Sequence, residues 1–123
     1  MVNETEDVAT TMAQIYDMVI KENIGPDGFA MDSTASDWLS LEARDCRSQV
    51  ERCRAWIRGQ DRTKTIRPGV SADDYMRSVE RYYNHHISKG AFLVASYLEG
   101  VRVKRRGSDG NFNIRINRHR NVL

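Results

Sequence analysis

Near the C-terminus of this 123-residue chain, cationic and apolar residues alternate on both sides of a Gly/Ser/Asp turn. Val101-Arg102-Val103-Lys104-Arg105-Arg106 leads into Gly107-Ser108-Asp109-Gly110-Asn111, and Phe112-Asn113-Ile114-Arg115-Ile116-Asn117 follows. Period-two alternation around such a turn predicts a half-buried β-hairpin over about 101–117. With Gly107 to Gly110 as the loop, Arg106 faces Asn111, Arg105 faces Phe112, Val103 faces Ile114 and Val101 faces Ile116. The other face then sets Arg102 opposite Arg115 and Lys104 opposite Asn113. Like charges directly across a ladder are destabilising, so such a face calls for solvent or for an anion. The chemistry on offer is phosphate binding, for which the planar guanidinium fork is well shaped. Arg102, Lys104, Arg106 and Arg115 are the candidate contacts, with Arg118 and Arg120 adding grip from the tail around His119.

A second cationic row lies upstream, where Arg44, Arg47, Glu51, Arg54 and Arg58 recur at helical spacing. A solvated helix face is the default use of such a row. A track for a phosphate backbone, carried by Arg44, Arg47 and Arg54, is the functional one. Charge is also divided along the chain. Residues 1–42 hold nine acids and one base, whereas residues 43–123 hold eighteen bases and eight acids. That asymmetry points to nucleic-acid contact, or to an acidic segment that covers a basic surface. Fifteen of the nineteen bases are Arg, which suits phosphate and guanine edges but also follows from a GC-rich coding sequence. Tyr82 and Tyr83 could stack on bases in a single-stranded complex, although tyrosines beside Met76 and Val79 more commonly form the rim of a core.

No catalytic constellation stands out. His85 and His86 lie near Glu80, but no nucleophile, acid pair or His/Cys framework completes a site, so the chain reads as a non-enzyme. Cys46 and Cys53 are two helical turns apart, about 10 Å, too far to bridge. With only His85, His86 and His119 as further ligands they match no metal-site spacing. Neither metal nor cofactor is expected. A hydrophobic fraction of 40% and a charged fraction of 29% suit one soluble α+β domain. No apolar run approaches the roughly 20 residues needed to span a bilayer. The acidic start Met-Val-Asn-Glu-Thr-Glu-Asp lacks the apolar stretch of a secretory signal. The expectation is a cytoplasmic protein.

The elements that must position these groups are four helices. Val8, Met12, Ile15 and Val19 mark an amphipathic helix over about 5–22, with Glu6 and Asp7 suited to the positive end of its dipole. Gly25-Pro26-Asp27-Gly28 breaks it. Leu39, Ala43, Cys46, Val50, Cys53 and Ile57 recur at heptad-like spacing in a helix over about 37–58, flanked by Trp38 and Trp56. That seam can build a monomer core or a homodimer. Residues 59–70 are polar and rich in breakers, the mark of a surface loop. A helix pair over about 72–99 follows, with Ser71 and Asp74 as a capping box, a break at Asn84-His85-His86-Ile87, and Ser88 capping the second member. Residues 91–98 are apolar nearly all round, which places them at the centre of the core.

Helix, turn, helix and hairpin over 71–117 resembles the winged helix-turn-helix pattern, on element order alone. The resemblance implies DNA binding, yet the helix before the hairpin offers only Lys89, Ser96 and Glu99 where a recognition helix presents polar residues to base edges. The basic hairpin is therefore the better candidate. The reading is a small nucleic-acid-binding protein, duplex DNA ahead of RNA and regulatory in role, that holds phosphates on its C-terminal ribbon. The alternative is a protein-interaction module that uses the acidic N-terminal helix, with Glu4, Glu6, Asp7 and Asp17.

Overall fold

Ten residues with no polar face set the architecture: helix α4, Lys89–Leu98, is buried from Gly90 to Ser96. The computed structural model describes residues 9–29 and 35–117, without the side chains of 35–44. In chain order the elements are α1 (Met12–Glu22), β1 (Ile24–Gly25), β2 (Gly28–Phe29), α2 (Ala35–Arg58), β3 (Asp61–Ser71), α3 (Ala72–Tyr83), α4, β4 (Val103–Arg106) and β5 (Asp109–Arg115). The fold is α+β, as expected. Helices α1, α2 and α3 pack on α4, and an antiparallel sheet in the order β3-β5-β4 supplies a further wall.

One aromatic ring from each of α2, α3, α4 and β5 meets at the centre. Tyr75 stacks on Phe92 at 5.6 Å between centroids, and Phe112 stands edge-on to both at 5.4 and 5.3 Å. Trp56 closes the cluster at 6.3 Å from Tyr75 and from Phe92. Edge-to-face and stacked pairs at these separations add stabilisation beyond the area they bury. The buried Tyr75 hydroxyl donates to the Ile114 carbonyl at 2.5 Å. Burial pushes its pKa up to about 12, with Asp74 adding to the shift and the Arg67 guanidinium pulling against it. On α2, Cys46, Val50, Cys53 and Ile57 are fully or almost fully buried, so this part of the heptad-like seam builds the monomer core. Both thiols are free, and burial pushes that of Cys53 far up.

Local signals fix the helix ends. α1 starts at Met12, later than the residue 5 expected, because Thr11 and Gln14 form a capping box (Gln14 N–H to Thr11 Oγ1 3.2 Å, Thr11 N–H to Gln14 Oε1 2.9 Å). Thr10 is drawn off the helix axis toward α2, its N–H donating to Glu51 Oε2 at 2.8 Å. Glu6 and Asp7 lie outside the described residues. Ser71 and Asp74 form the expected cap of α3, with Ser71 N–H donating to Asp74 Oδ2 at 2.9 Å. The Ala91 N–H donates to Ser88 Oγ at 3.2 Å, which starts α4.

The sheet departs from expectation in two ways. Residues 59–70 hold strand β3 where a loop was expected, and the hairpin register is shifted by two. The turn is only Gly107-Ser108, with Arg106 paired to Asp109, Arg105 to Gly110, Lys104 to Asn111 and Val103 to Phe112. Gly107 has φ +60 while Ser108 is not in the positive-φ region, the pattern of a type II′ turn, whose twist matches that of the strands. Arg115 consequently pairs with Asp61 of β3, not with Arg102. β3 itself is strongly bulged: from Arg62 to Arg67 it advances five residues while β5 advances two, and from Arg67 to Ser71 four against one. Buried amides make good the missing ladder bonds. Asn113 Nδ2 donates to Thr63 O (3.1 Å), and Asn111 Nδ2 to Pro68 O (3.3 Å) and Val70 O (2.9 Å).

An ion cluster ties the far end of α4 to α2. Glu99, with its side chain 8% exposed, accepts from Arg54 Nε at 2.7 Å and Arg58 Nε at 2.8 Å. Arg54 also donates to Thr10 Oγ1 at 3.0 Å, and Arg62 to the Glu99 carbonyl at 3.1 Å. Burial alone would raise the pKa of Glu99, but the hydrogen bonds and charges of Arg58 and Arg54 outweigh it and hold the carboxyl below its ordinary value.

Two stability predictions follow from these contacts. Tyr75→Phe removes one buried hydrogen bond and leaves the ring cluster in place, so urea unfolding should show a loss of about 1–1.5 kcal/mol; an unchanged midpoint would contradict the bond. Glu99→Gln leaves Arg54 buried without its counter-charge and should cost about 3 kcal/mol at pH 7. Because the folded pKa lies below the unfolded one, the contribution of Glu99 is present above the unfolded value and is lost as pH falls through the folded value. The gap between the two proteins in urea melts should therefore begin to close only as pH falls below the ordinary Glu value of about 4.3, and a gap that does not narrow at all on acidification would refute the assignment.

Candidate nucleic-acid interface

Alternation along β4 and β5 sorts their side chains between two sheet faces. Val103, Phe112 and Ile114 turn toward the helices, while Lys104, Arg106, Asn111, Asn113 and Arg115 take the outer face, with Arg102 just before β4. A shift of two residues conserves the faces even though it changes every partner, so the expected cationic face is present. Arg102, Lys104, Arg106 and Arg115 are all exposed. From Arg102 to Arg106 the row spans about 14 Å at strand rise, comparable with the roughly 12 Å width of the B-DNA major groove.

Each arginine on this face is steadied by a neutral or singly charged partner. The Arg102 guanidinium reaches across β5 to the Lys64 carbonyl, and the Arg102 backbone N–H donates to Asn113 Oδ1 at 2.9 Å. Arg106 donates to Asn111 Oδ1 at 3.1 Å, and Arg115 lies 3.3 Å from Asp61 Oδ2. Lys104 has no side-chain partner among the described residues. Four cations thus share the face with two carboxylates, Asp61 and Asp109; Asp109 stands opposite Arg106 but is engaged by the Ala72 N–H and Lys89. Asn111 and Asn113 are 4% and 7% exposed and are used internally, so they are not free to read base edges.

The winged-helix likeness does not extend to its working parts. α4 is core and presents no recognition face. The hairpin tip is pinned to the body: Phe29 N–H donates to Ser108 O at 2.9 Å, and the Arg105 guanidinium lies 4.2 Å from the Phe29 ring centroid. Gly28, at φ +121, allows this approach, since a Cβ there would lie 2.0 Å from Ser108 O. Lys89 reinforces the junction with Asp73 at 3.3 Å and Asp109 at 3.6 Å.

The other sequence candidates are scattered. Arg54 is 8% exposed and committed to Glu99 and Thr10; it is a structural cation, because a buried guanidinium needs a counter-charge more than it can serve a ligand. Arg47 is exposed on α2. The Arg44 side chain and all of Arg118, His119 and Arg120 lie outside the described residues. Tyr82 and Tyr83 are half-buried against the core in a mutual edge contact at 4.9 Å. Glu80 organises the α3–α4 break, accepting from Ile87 N–H at 3.0 Å and lying 3.3 Å from His86 Nδ1. Among the described residues no group of three or more His, Cys, Asp or Glu is placed to hold a metal. No described helix is long and apolar enough to cross a membrane.

Sequence reasoning passed over Arg77 and Arg81, which are exposed on α3 and line an open groove of about 660 Å³ with Asp74, Ser78, Glu80, Asn84 and Ile116. Their spacing of four, on the polar side of a helix with a strongly apolar opposite side, was the available signal. No protein-family model, curated protein or solved structure matches this chain, so the functional reading stands on the geometry of these faces.

Proposed function

We propose that the chain is a small nucleic-acid-binding protein that holds the phosphate backbone of duplex DNA on the outer face of its three-stranded sheet. The observation that carries this reading is the row Arg102, Lys104, Arg106 with Arg115 beside it, four exposed cations against the carboxylates of Asp61 and Asp109, the second of which is engaged by the Ala72 N–H and Lys89. The helices hold the sheet rigid from behind, so the cations keep their spacing without a ligand. Binding releases condensed counterions, one for each phosphate neutralised. The outer face of β4 and β5 carries no aromatic side chain and its asparagines are occupied, so it lacks the stacking platform of single-strand binders and the free donors of direct base readout. The affinity is then sequence-tolerant and electrostatic, suited to a cytoplasmic protein with a regulatory or architectural role on DNA.

One observation favours the second reading, a protein-interaction module. α1 exposes Tyr16 (38%) and Ile20 (67%) one turn apart, beside the exposed Asp17. Glu4, Glu6 and Asp7 of the proposed acidic face lie outside the described residues.

Fluorescence anisotropy with a random duplex decides between the two. The wild-type chain should bind with log K falling against log salt at a slope near −3 to −4. Lys104→Glu with Arg115→Gln, which puts no second acid opposite Asp61, should flatten the slope by about 2 and weaken binding at least tenfold, with a thermal melt close to that of the wild type. Absence of wild-type binding at low salt, or equal binding by the double variant, would overturn the proposal. Ile20→Asp should leave DNA binding unaltered.

A further inference from the structure

The groove beside α3 belongs to neither face discussed above, and its charges are unequally engaged. Asp74 Oδ2 already accepts the Ser71 N–H at 2.9 Å and the Ser71 hydroxyl at 3.2 Å. Glu80 Oε2 accepts the Ile87 N–H and faces His86. Both carboxylates are therefore held at backbone positions beyond the two ends of α3. Arg77 lies between them along α3 and Arg81 follows Glu80, and neither guanidinium makes a hydrogen bond or ion pair with any described residue. They are one helical turn apart, about 6 Å along the axis, and both exposed. Ile116, half-buried against the core, supplies the apolar part of the lining. A cleft of 660 Å³ is of ligand size. Two forked cations one turn apart, beside the one apolar residue of the lining, Ile116, match a ligand with two adjacent anionic groups on a small organic body.

We infer that this groove is a binding site for an organic diphosphate, with Arg77 and Arg81 each taking one phosphate and Ile116 supporting the organic body. Guanidinium binds phosphate through paired hydrogen bonds, and engaging both arginines requires no rearrangement of either carboxylate. The inference is independent of DNA binding, since none of these residues lies on the outer sheet face.

The test is an NMR titration of the full chain, recording amide shifts with inorganic pyrophosphate and, separately, with ADP. Both probes should move the amides of Arg77, Ser78, Arg81 and Asn84, and ADP should also move Ile116 and bind at least threefold more tightly. Arg77→Ala with Arg81→Ala should weaken both probes at least tenfold while leaving the remaining spectrum in place, as expected of exposed sites. Ile116→Ala should weaken ADP alone. Shifts centred on residues 102–106 and 115, equal affinity in the double variant, or no shift at millimolar probe would overturn the site. ADP binding no tighter than pyrophosphate would overturn the assignment of an organic ligand.

Discussion

A helix without a polar face must be covered on every side, and α4 imposes that demand on the whole chain. Phe92 at its centre touches rings from α2, α3 and β5, so no one of those elements can leave without exposing the others. Burying one such ring stabilises by roughly 1.5–3 kcal/mol. The arrangement also decides where function can reside. With the inner face of the sheet sealed against Phe92 and Tyr75, polar chemistry is left to the outer sheet face and the outward sides of α1, α2 and α3.

The sheet meets a second demand, that of its edges. β3 and β4 are both edge strands, and an open edge invites pairing with other chains. β4 is only four residues long and strongly cationic. β3 is long but bulged twice, with Pro68 and Gly69 in its second bulge. A bulged partner leaves the central strand short of ladder bonds, and a buried unpaired amide is expensive. Asn111 and Asn113 resolve this by bonding to β3 carbonyls from the side-chain position. The outer face is therefore polar at its centre for structural reasons and cationic at its margin.

The same physics explains what the sequence could and could not say. Period-two alternation placed Arg102, Lys104, Arg106 and Arg115 on one face, because the face depends only on parity. Their partners depend on turn length, and Gly107-Ser108-Asp109-Gly110 admits loops of two or four residues. β3 was illegible since its bulges destroy the alternation that marks a strand; Gln-Asp-Arg-Thr-Lys-Thr reads as a loop. The caps of α3 and α4 were legible because Ser71, Asp74 and Ser88 act within four residues of themselves. The role of Arg54 was not, since its partner Glu99 lies forty-five residues away.

Arginine count alone is consequently a poor guide to binding in this chain. Arg54 and Arg58 neutralise Glu99, Arg105 covers Phe29, and Arg62 holds a carbonyl at the end of α4. These cations are consumed by the fold, and their removal would act through stability. Lys104, Arg77 and Arg81 differ in kind, for the fold gives them no partner. A charge left unpaired in water costs little, whereas the same charge facing an anion at a fixed spacing gains both attraction and released counterions. Where a protein with a formal net charge of only +2 can grip an anion is thus decided by which cations remain unspent; among the described residues, Lys104 on the outer sheet face and Arg77 and Arg81 along α3 are of that kind, as are the isolated Lys21 on α1 and Arg47 on α2.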